Sequence, residues 1–349
     1  MKKIAFRLDT GKSIGSGHLI RCMALADELS IQSDCSILFI CRNQLQETLP
    51  YPVIYIKAPY VTNDKIYEFP GIIDEIDELS GILRNENTDC LIVDHYGADD
   101  DYFQKLKKIV PYLVCMDDGL ERHVQADIVI NGNIFGEDAA YEGVPLKLTG
   151  CSYLLLRSMF QTAAVRKNHD QVKEVYITSG GADPLEFCYR ISKELAEHFP
   201  GIHLHVIAGW SFSETYIMKL QKQNLTIHRN ADMRECMINA DFFISSAGST
   251  LYELAFCGVP SICYVLAEDQ KLVAEYMSLK GITYSGGNFD SFQGQAFCHL
   301  CEKLFSDTKT RAQMSKRGQT MIDGLGAKRT AEKLLQFTGY SHTLERRQL

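Results

Sequence analysis

The sequence predicts an α/β protein built from two doubly wound parallel sheets. Short apolar segments alternate with helical patterns along all 349 residues. Most of these segments are unbroken apolar runs, which is typical of parallel strands covered on both faces. The chain is also longer than the roughly 250–300 residues at which a single core stops growing, so we expect two domains.

The predicted strands fall into two groups. The first half contains Ile4–Leu8, Ser36–Cys41, Val53–Ile56, Cys90–Asp94, Tyr112–Met116 and Ile128–Ile130. The second half contains Glu174–Thr178, His203–Ala208, Leu225–His228, Phe242–Ser245 and Ser261–Val265. Helical patterns between them supply the crossovers that parallel strands need. Gly286-Gly287 and Asp323–Gly326 are predicted to be turns.

A polar stretch over residues 161–171 interrupts the alternation and is predicted to be a linker. After it, a unit of strand, glycine-containing turn and helix begins again. We therefore predict a Rossmann-like N-terminal domain over residues 1–162 and a second Rossmann-like domain over residues 171–340.

Composition narrows the class of protein. The chain is 46% hydrophobic and 23% charged, with a formal net charge of −8, so a generally basic surface for nucleic acid is not expected. It shows neither a membrane-spanning apolar run nor a signal peptide, which predicts a cytoplasmic protein without a membrane partner. The twelve cysteines are expected to be reduced and buried. No feature demands more than a monomer.

The segment after the first strand contains a glycine turn followed by a helix that begins with His18. Gly15 and Gly17 let backbone amides approach a ligand, and a helix N-terminus favours an anion. Histidine is the side chain whose ordinary pKa suits proton transfer near neutrality. Phe6 and Ile20 stand where a Walker loop and a dinucleotide fingerprint require glycine, so neither motif fits.

Polar residues follow several strands of the first half, at the sheet edge where open parallel sheets bind ligands. They are Asp9, Asp94, His95, Tyr96, Asp117, Asp118, Asn131 and Asn133. We expect them to face one crevice together with His18. Two alternatives stay open. The residues can be simple turn formers, or they can hold a metal, although no tight ligand spacing supports a metal site.

The second half contains two turns that can bind an anion. Gly180 and Gly181 follow one strand, and Ser246–Thr250 opens a helix after another. Hydroxyls of Ser249 and Thr250 can donate to phosphate, and Glu253 can accept hydrogen bonds from a ribose diol. The alternative for Glu253 is compensation of the helix dipole. The loop with Asp269 and Gln270 can hydrogen-bond a sugar.

Together these residues resemble the UDP-sugar hydrolases of pseudaminic acid biosynthesis. The resemblance rests on the opening pattern R-x-D-x-x-x-x-I-G-x-G-H-x-x-R-C-x-x-L-A, on Asp94–Gly97, on the Gly180-Gly181 turn, and on Ser246–Glu253 with Asp269-Gln270. It covers the chain from Lys3 to about Thr330. It implies a GT-B architecture of two facing Rossmann-like domains, related to that of the peptidoglycan N-acetylglucosaminyltransferase.

The resemblance also implies an activity. This family converts UDP-2,4-diacetamido-2,4,6-trideoxy-β-L-altropyranose to UDP and free sugar with inversion, and it uses no metal or other cofactor. Its catalytic histidine corresponds to His18 and the tyrosine of its D-H-Y-G motif to Tyr96, with Asp94 as a further catalytic candidate. The expected substrate-binding residues are Asp9, Gly15, Gly17, Arg21, His95, Asp118, Gly180, Gly181, Ser246, Gly248, Ser249, Thr250, Glu253, Asp269 and Gln270.

Physical reasoning predicts that His18 deprotonates the attacking water while Asp9 or Asp94 orients the imidazole ring or the sugar. Tyr96 is expected to contact an acetamido group or the water. An inverting UDP-sugar glycosyltransferase, whose base activates an acceptor hydroxyl, is the alternative function. A nucleotide-sugar binder without catalysis is the third.

Overall fold

The computed structural model describes residues 2–10, 17–42, 45, 48–57, 72–121, 123–160, 162, 166, 169–183, 185–221, 223 and 225–340. One candidate position, Gly15, therefore lies outside the described residues. The chain divides into two compact units. The first comprises Met1–Ser158 with Leu325–Leu349, and the second comprises Met159–Gly324.

The elements alternate as the sequence predicts. The strands are β1 (Lys3–Leu8), β2 (Ser36–Cys41), β3 (Val53–Tyr55), β4 (Cys90–Asp94), β5 (Tyr112–Met116), β6 (Ile128–Asn131), β7 (Leu146–Thr149), β8 (Glu174–Thr178), β9 (His203–Ile207), β10 (Thr226–His228), β11 (Phe242–Ser246), β12 (Ser261–Val265) and β13 (Tyr284–Asn288). The helices are α1 (Gly17–Gln32), α2 (Ile76–Asn85), α3 (Asp100–Leu106), α4 (Phe187–His198), α5 (Glu214–Gln221), α6 (Met233–Asn239), α7 (Thr250–Cys257), α8 (Lys271–Leu279), α9 (Gly294–Ser306), α10 (Thr308–Met321) and α11 (Gly326–Thr338).

Within the described residues, the first unit is a seven-stranded parallel sheet in the order β3-β2-β1-β4-β5-β6-β7. Alternate residues of β1 pack on opposite faces. Ile4 and Phe6 contact the layer that holds α1 and α11, whereas Ala5 contacts the layer of α2 and α3. Helices therefore cover both faces of the sheet, which explains why its strands read as unbroken apolar runs.

The second unit has a six-stranded parallel sheet in the described residues, in the order β10-β9-β8-β11-β12-β13. Its core combines apolar residues of the central strands with α4 and α9. No helix of the described chain combines the length and apolarity needed to cross a bilayer. All twelve cysteines are free thiols, and all except Cys35 are buried.

The boundary of the second domain differs from the sequence prediction of 171–340. Helix α11 packs on α1 in the first unit, where Ala331, Leu334 and Leu335 join the core that contains Leu25 and Leu29. Helical periodicity identifies the apolar face of α11 but cannot indicate which sheet buries it. The linker predicted over residues 161–171 does not separate the two units, because the second unit already begins at Met159.

Part of that predicted linker is bound to the second unit. The Arg166 guanidinium donates to the main-chain carbonyl oxygens of Ala240 (2.8 Å), Asp241 (2.9 Å) and Gly258 (3.1 Å). The charge at Arg166 thus reflects a side chain that satisfies main-chain carbonyls of the second unit.

Two edge strands, β7 and β13, were not predicted. The prediction that Gly286-Gly287 forms a turn is wrong, because both glycines lie in β13 beside β12. A Cβ atom at Gly286 would lie 2.3 Å from the ring of Tyr264, so this close approach requires glycine. Residues of β13 are mostly exposed, and an exposed edge strand lacks the apolar pattern that identifies central strands.

Candidate active site

The centre of the candidate site in the first unit is the hydrogen-bonded pair of His18 and Asp94. His18 is the second residue of α1, and Asp94 ends β4 directly beside Leu8 of β1. Nδ1 of His18 lies 2.5 Å from Oδ1 of Asp94, and both side chains are buried. Because a carboxylate accepts the proton on Nδ1, the lone pair of the neutral ring is on Nε2. Nε2 has no hydrogen-bond partner among the described residues.

Arg21, one turn after His18 on α1, fixes the carboxylate. Its Nε and Nη2 atoms lie 2.6 and 2.5 Å from the two oxygens of Asp94. Burial raises the pKa of Asp94, but the charges of Arg21 and His18 outweigh it, so the pKa lies well below its ordinary value. Asp94 is therefore an anion that can support a positive charge on His18.

The same guanidinium holds a second carboxylate. Nη1 of Arg21 lies 2.6 Å from Oδ1 of Asp118, which also accepts from Nδ2 of Asn133 at 3.0 Å. The hydroxyl of Tyr96 donates to Oδ2 of Asp118 over 3.3 Å. The Tyr96 ring meets the His18 ring edge-on at 4.7 Å between centroids and is 39% exposed. A ligand that reaches Tyr96 would thus lie close to the imidazole.

Asp9 and His95 occupy a separate buried cluster. Nε2 of His95 donates to Oδ2 of Asp9 (3.1 Å), while its Nδ1 accepts from the main-chain N–H of Gly97 (3.0 Å). Asp9 also accepts from Arg7 (2.9 Å) and from the main-chain N–H of Arg42 (2.7 Å). Asp94 is thus the carboxylate that orients His18, and Asp9 with His95 ties the ends of β1 and β4 together.

A further buried carboxylate, Glu75, stabilises this cluster. Its oxygens accept from Nε of Arg7 and Nε of Arg42, each at 2.6 Å, and from the hydroxyl of Tyr102 at 2.7 Å. Burial raises the pKa of Glu75, but its bonds with Arg7 outweigh this effect and the pKa is lowered. Sequence reasoning missed Glu75, which lies among other acidic residues on a short 3₁₀ turn.

The other candidates of the first half have simpler surroundings. Gly17 is the first residue of α1, and a Cβ atom there would meet nothing within 4 Å. Asp117 is buried and accepts from the Tyr141 hydroxyl (2.7 Å), so it points to a different partner from Asp118.

In the second unit, the two predicted anion-binding turns are joined. Oγ of Ser246 donates to the main-chain oxygen of Ser179 at 3.2 Å, directly before Gly180. Gly180 has a φ of +87°, a left-handed conformation that glycine adopts without strain. Gly248 follows β11, and Ser249 and Thr250 form the start of α7.

The remaining candidates of this unit differ in exposure. Glu253 is buried in the first turn of α7. Gln270 turns back on its own loop, where its Oε1 accepts from the main-chain N–H of Leu266 at 2.9 Å. Asp269 is exposed beside it.

Trp210 is a candidate that sequence reasoning missed. It follows β9 and lies against the glycine turn, since a Cβ atom on Gly181 would be 2.6 Å from its Nε1 atom. The neighbouring Ser211 donates to the main-chain oxygen of Gly181 from N (3.1 Å) and Oγ (2.8 Å). Trp210 is 42% exposed. The signal was available, because it is the single tryptophan and follows the carboxyl end of a parallel strand.

Comparison with known proteins gives the chain its family. No family model matches the chain. It is 30% identical over 297 residues to the UDP-2,4-diacetamido-2,4,6-trideoxy-β-L-altropyranose hydrolase of Campylobacter jejuni, covering 80% of this chain and 97% of that protein. It is 25% identical over 333 residues to the spore coat polysaccharide biosynthesis protein SpsG of Bacillus subtilis, covering 91% and 93%.

Solved structures identify the fold. MurG of Acinetobacter baumannii superposes with a TM-score of 0.70 at 15% identity, covering 96% of this chain and 100% of that one. Anabaena HepE in complex with UDP-glucose superposes with a TM-score of 0.59 at 13% identity, covering 97% and 100%. The chain therefore has the GT-B fold and belongs to the family of the UDP-2,4-diacetamido-2,4,6-trideoxy-β-L-altropyranose hydrolase, enzymes that act on UDP-linked sugars.

Proposed function

We propose that this enzyme hydrolyses a UDP-linked 2,4-diacetamido-2,4,6-trideoxy sugar to UDP and free sugar, with inversion, in pseudaminic acid biosynthesis. The observation that carries the proposal is the buried pair of His18 and Asp94. Asp94 holds Nδ1 at 2.5 Å, which directs the basic lone pair of the ring to Nε2. A general base needs this arrangement to accept a proton from water.

One base is sufficient for this reaction. Ordinary glycosidases need a second carboxyl group to protonate a poor leaving group. A nucleoside diphosphate leaves without full protonation, because main-chain amides and helix N-termini can stabilise the charge that develops on it. The proposed step therefore needs no metal ion.

The proposed step is a single displacement. Nε2 of His18 takes a proton from water, and the water oxygen bonds to the anomeric carbon. The bond from that carbon to the β-phosphate oxygen of UDP breaks, and its electron pair leaves with UDP. Attack from the face opposite the leaving group inverts the anomeric centre. The carboxylate of Asp94 stabilises the imidazolium that forms.

Other candidates receive supporting roles. Tyr96, edge-on to His18 and partly exposed, is proposed to contact an acetamido group or the attacking water. Arg21 positions His18 indirectly, because it fixes both Asp94 and Asp118. The turns at Gly180 and at Gly248–Thr250, with Glu253, are proposed to hold UDP, and Asp269 with Gln270 to contact the sugar.

The experiment that tests this function supplies no acceptor. A panel of UDP-2,4-diacetamido-2,4,6-trideoxy sugars is incubated with the protein and followed by NMR. We expect one stereoisomer to release UDP promptly, with the anomer of inverted configuration appearing first. First appearance of the retained anomer would contradict direct displacement by water.

The alternative function is an inverting UDP-sugar glycosyltransferase, which the likeness to MurG favours at the level of fold. In that case His18 would deprotonate an acceptor hydroxyl. UDP release would then be slow in the experiment above and would increase only when an acceptor alcohol is added.

Trp210 provides a direct test of the nucleotide site. Because it lies against Gly181 and is the single tryptophan, UDP binding is expected to change its fluorescence in a saturable way. Uridine, which lacks the diphosphate, should produce the change only at higher concentration. If UDP inhibits turnover but leaves the emission unchanged, the turn at Gly180-Gly181 is not part of the nucleotide site.

A further inference from the structure

A cluster of histidines and a carboxylate lies on the second sheet, outside every candidate discussed above. His203 and His205 are two residues apart on β9, so their side chains are on the same face of the sheet. Glu174 of β8 pairs with His203 in the strand register. Oε2 of Glu174 lies 2.7 Å from Nε2 of His205 and 3.2 Å from Nδ1 of His203.

Two neighbours fix the orientation of the His205 ring. Nε2 of His228, on β10, lies 2.8 Å from Nδ1 of His205. The ring of Tyr176 stacks on His205 at 4.1 Å with an interplanar angle of 4°. His205 is thus immobilised with its Nε2 atom directed to Glu174. Metal-binding histidines commonly have such a partner on the second ring nitrogen.

The exposure of the three donors suits a site that is open to solvent. The side chain of His205 is 9% exposed, whereas Glu174 is 40% and His203 is 53% exposed. The three candidate ligand atoms lie within 4.8 Å of one another.

We propose that Glu174, His203 and His205 form a site for Zn²⁺ or a similar divalent transition metal. Two imidazoles and one carboxylate are ligands that zinc accepts, with water as the fourth. Tetrahedral ligands at zinc are roughly 3.3 Å apart, so the Glu174 carboxylate must withdraw slightly from His205. The bound ion would join the start of β8 to β9, and through His228 it would be linked to β10.

This site is separate from the proposed hydrolysis, because none of its residues belongs to the candidate catalytic or nucleotide-binding residues. Its role is to stabilise the second unit. A protein that binds a ligand only when folded is stabilised by it, so metal binding should raise the temperature of unfolding.

A second group, Glu194, His198 and Cys298, also brings three donor atoms within 4.8 Å and serves as an internal comparison. Nδ1 of His198 lies 2.9 Å from the main-chain oxygen of Glu194 in its own helix. Sγ of Cys298 is 4.0 Å from Oε2 of Glu194. This group has one imidazole, and no ring of the described residues orients it, so we assign the metal to Glu174, His203 and His205.

The test uses the full chain, freed of metal with EDTA and titrated with Zn²⁺ by calorimetry. We expect one equivalent to bind and the thermal midpoint to rise. Glu174→Gln and His205→Ala should each weaken binding by at least about 10-fold, and His228→Gln by about 10–100-fold. The matched control His198→Ala should bind as the original chain does, and circular dichroism will show that each variant is folded.

Co²⁺ distinguishes the two groups spectroscopically. Cobalt held by imidazole and carboxylate should show only ligand-field bands, whereas an intense thiolate charge-transfer band would place it at a cysteine and overturn the proposal. Unchanged binding in both Glu174→Gln and His205→Ala, or no binding by the original chain, would also overturn it. UDP release should be equal with and without EDTA, so the metal site and the proposed hydrolysis can fail independently.

Discussion

Replacing His18 with asparagine is expected to lower kcat for UDP release by about 10²–10⁴-fold, the usual contribution of a general base. Asparagine retains a polar side chain beside Asp94 but cannot accept a proton near neutral pH. Because His18 lies in the first unit and the proposed UDP contacts lie in the second, nucleotide affinity should change little. Initial rates of UDP release give kcat, and titration of Trp210 fluorescence gives the affinity for UDP.

A matched control is available in the same unit. His123 also pairs with an aspartate, with its Nδ1 atom 2.7 Å from Oδ2 of Asp100, but the side chains of this pair are 66% and 47% exposed. His123→Asn should therefore retain the original kcat. If His18→Asn releases UDP at a near-normal rate with normal UDP affinity, His18 is not the base and the proposed mechanism fails.

The sequence predicts the central strands closely because burial on both faces leaves a clear pattern. Strands β2, β4, β5, β8 and β12 have the predicted bounds. The edge strands β7 and β13 do not carry this pattern, and β13 even contains two glycines. Likewise, the apolar face of α11 predicts a helix, whereas its return to the first unit depends on a complementary face of α1.

The candidate site, too, is only partly predictable from the sequence. Topology alone indicates that His18 and Asp94 lie near one another, because Asp94 ends β4 and His18 begins the helix that follows the adjacent parallel strand β1. The choice between Asp9 and Asp94 as the orienting group depends on side-chain direction, which composition and spacing do not determine. In the structure, Arg21 holds Asp94 beside His18. Asp9 instead accepts hydrogen bonds from Arg7 and from the main-chain N–H of Arg42, so it does not orient His18.

Replacing Glu75 with glutamine is expected to destabilise the first unit by about 3–5 kcal/mol at pH 7. Glutamine preserves volume but removes the charge that compensates Arg7, whose side chain is completely buried, and Arg42, which is 5% exposed. Burying a cation without its partner is far more costly than breaking a surface pair. Hydrogen exchange of peptides from β1 and β4 measures this loss, since the single tryptophan lies in the other unit.

The control is Glu86→Gln, which removes an ion pair with Lys3 of the same 2.6 Å length but with 34% and 28% exposed side chains. Such a pair contributes under about 1 kcal/mol.

Because the pKa of Glu75 is lowered in the folded protein, the stabilisation that Glu75 provides is complete above the unfolded pKa of about 4.3. It is lost as the pH falls through the folded value. The difference between the original chain and Glu75→Gln should thus be constant from neutral pH to about pH 5 and shrink below it. A loss as small as that of Glu86→Gln would mean that Asp9 alone compensates Arg7 and that Glu75 does not stabilise this cluster.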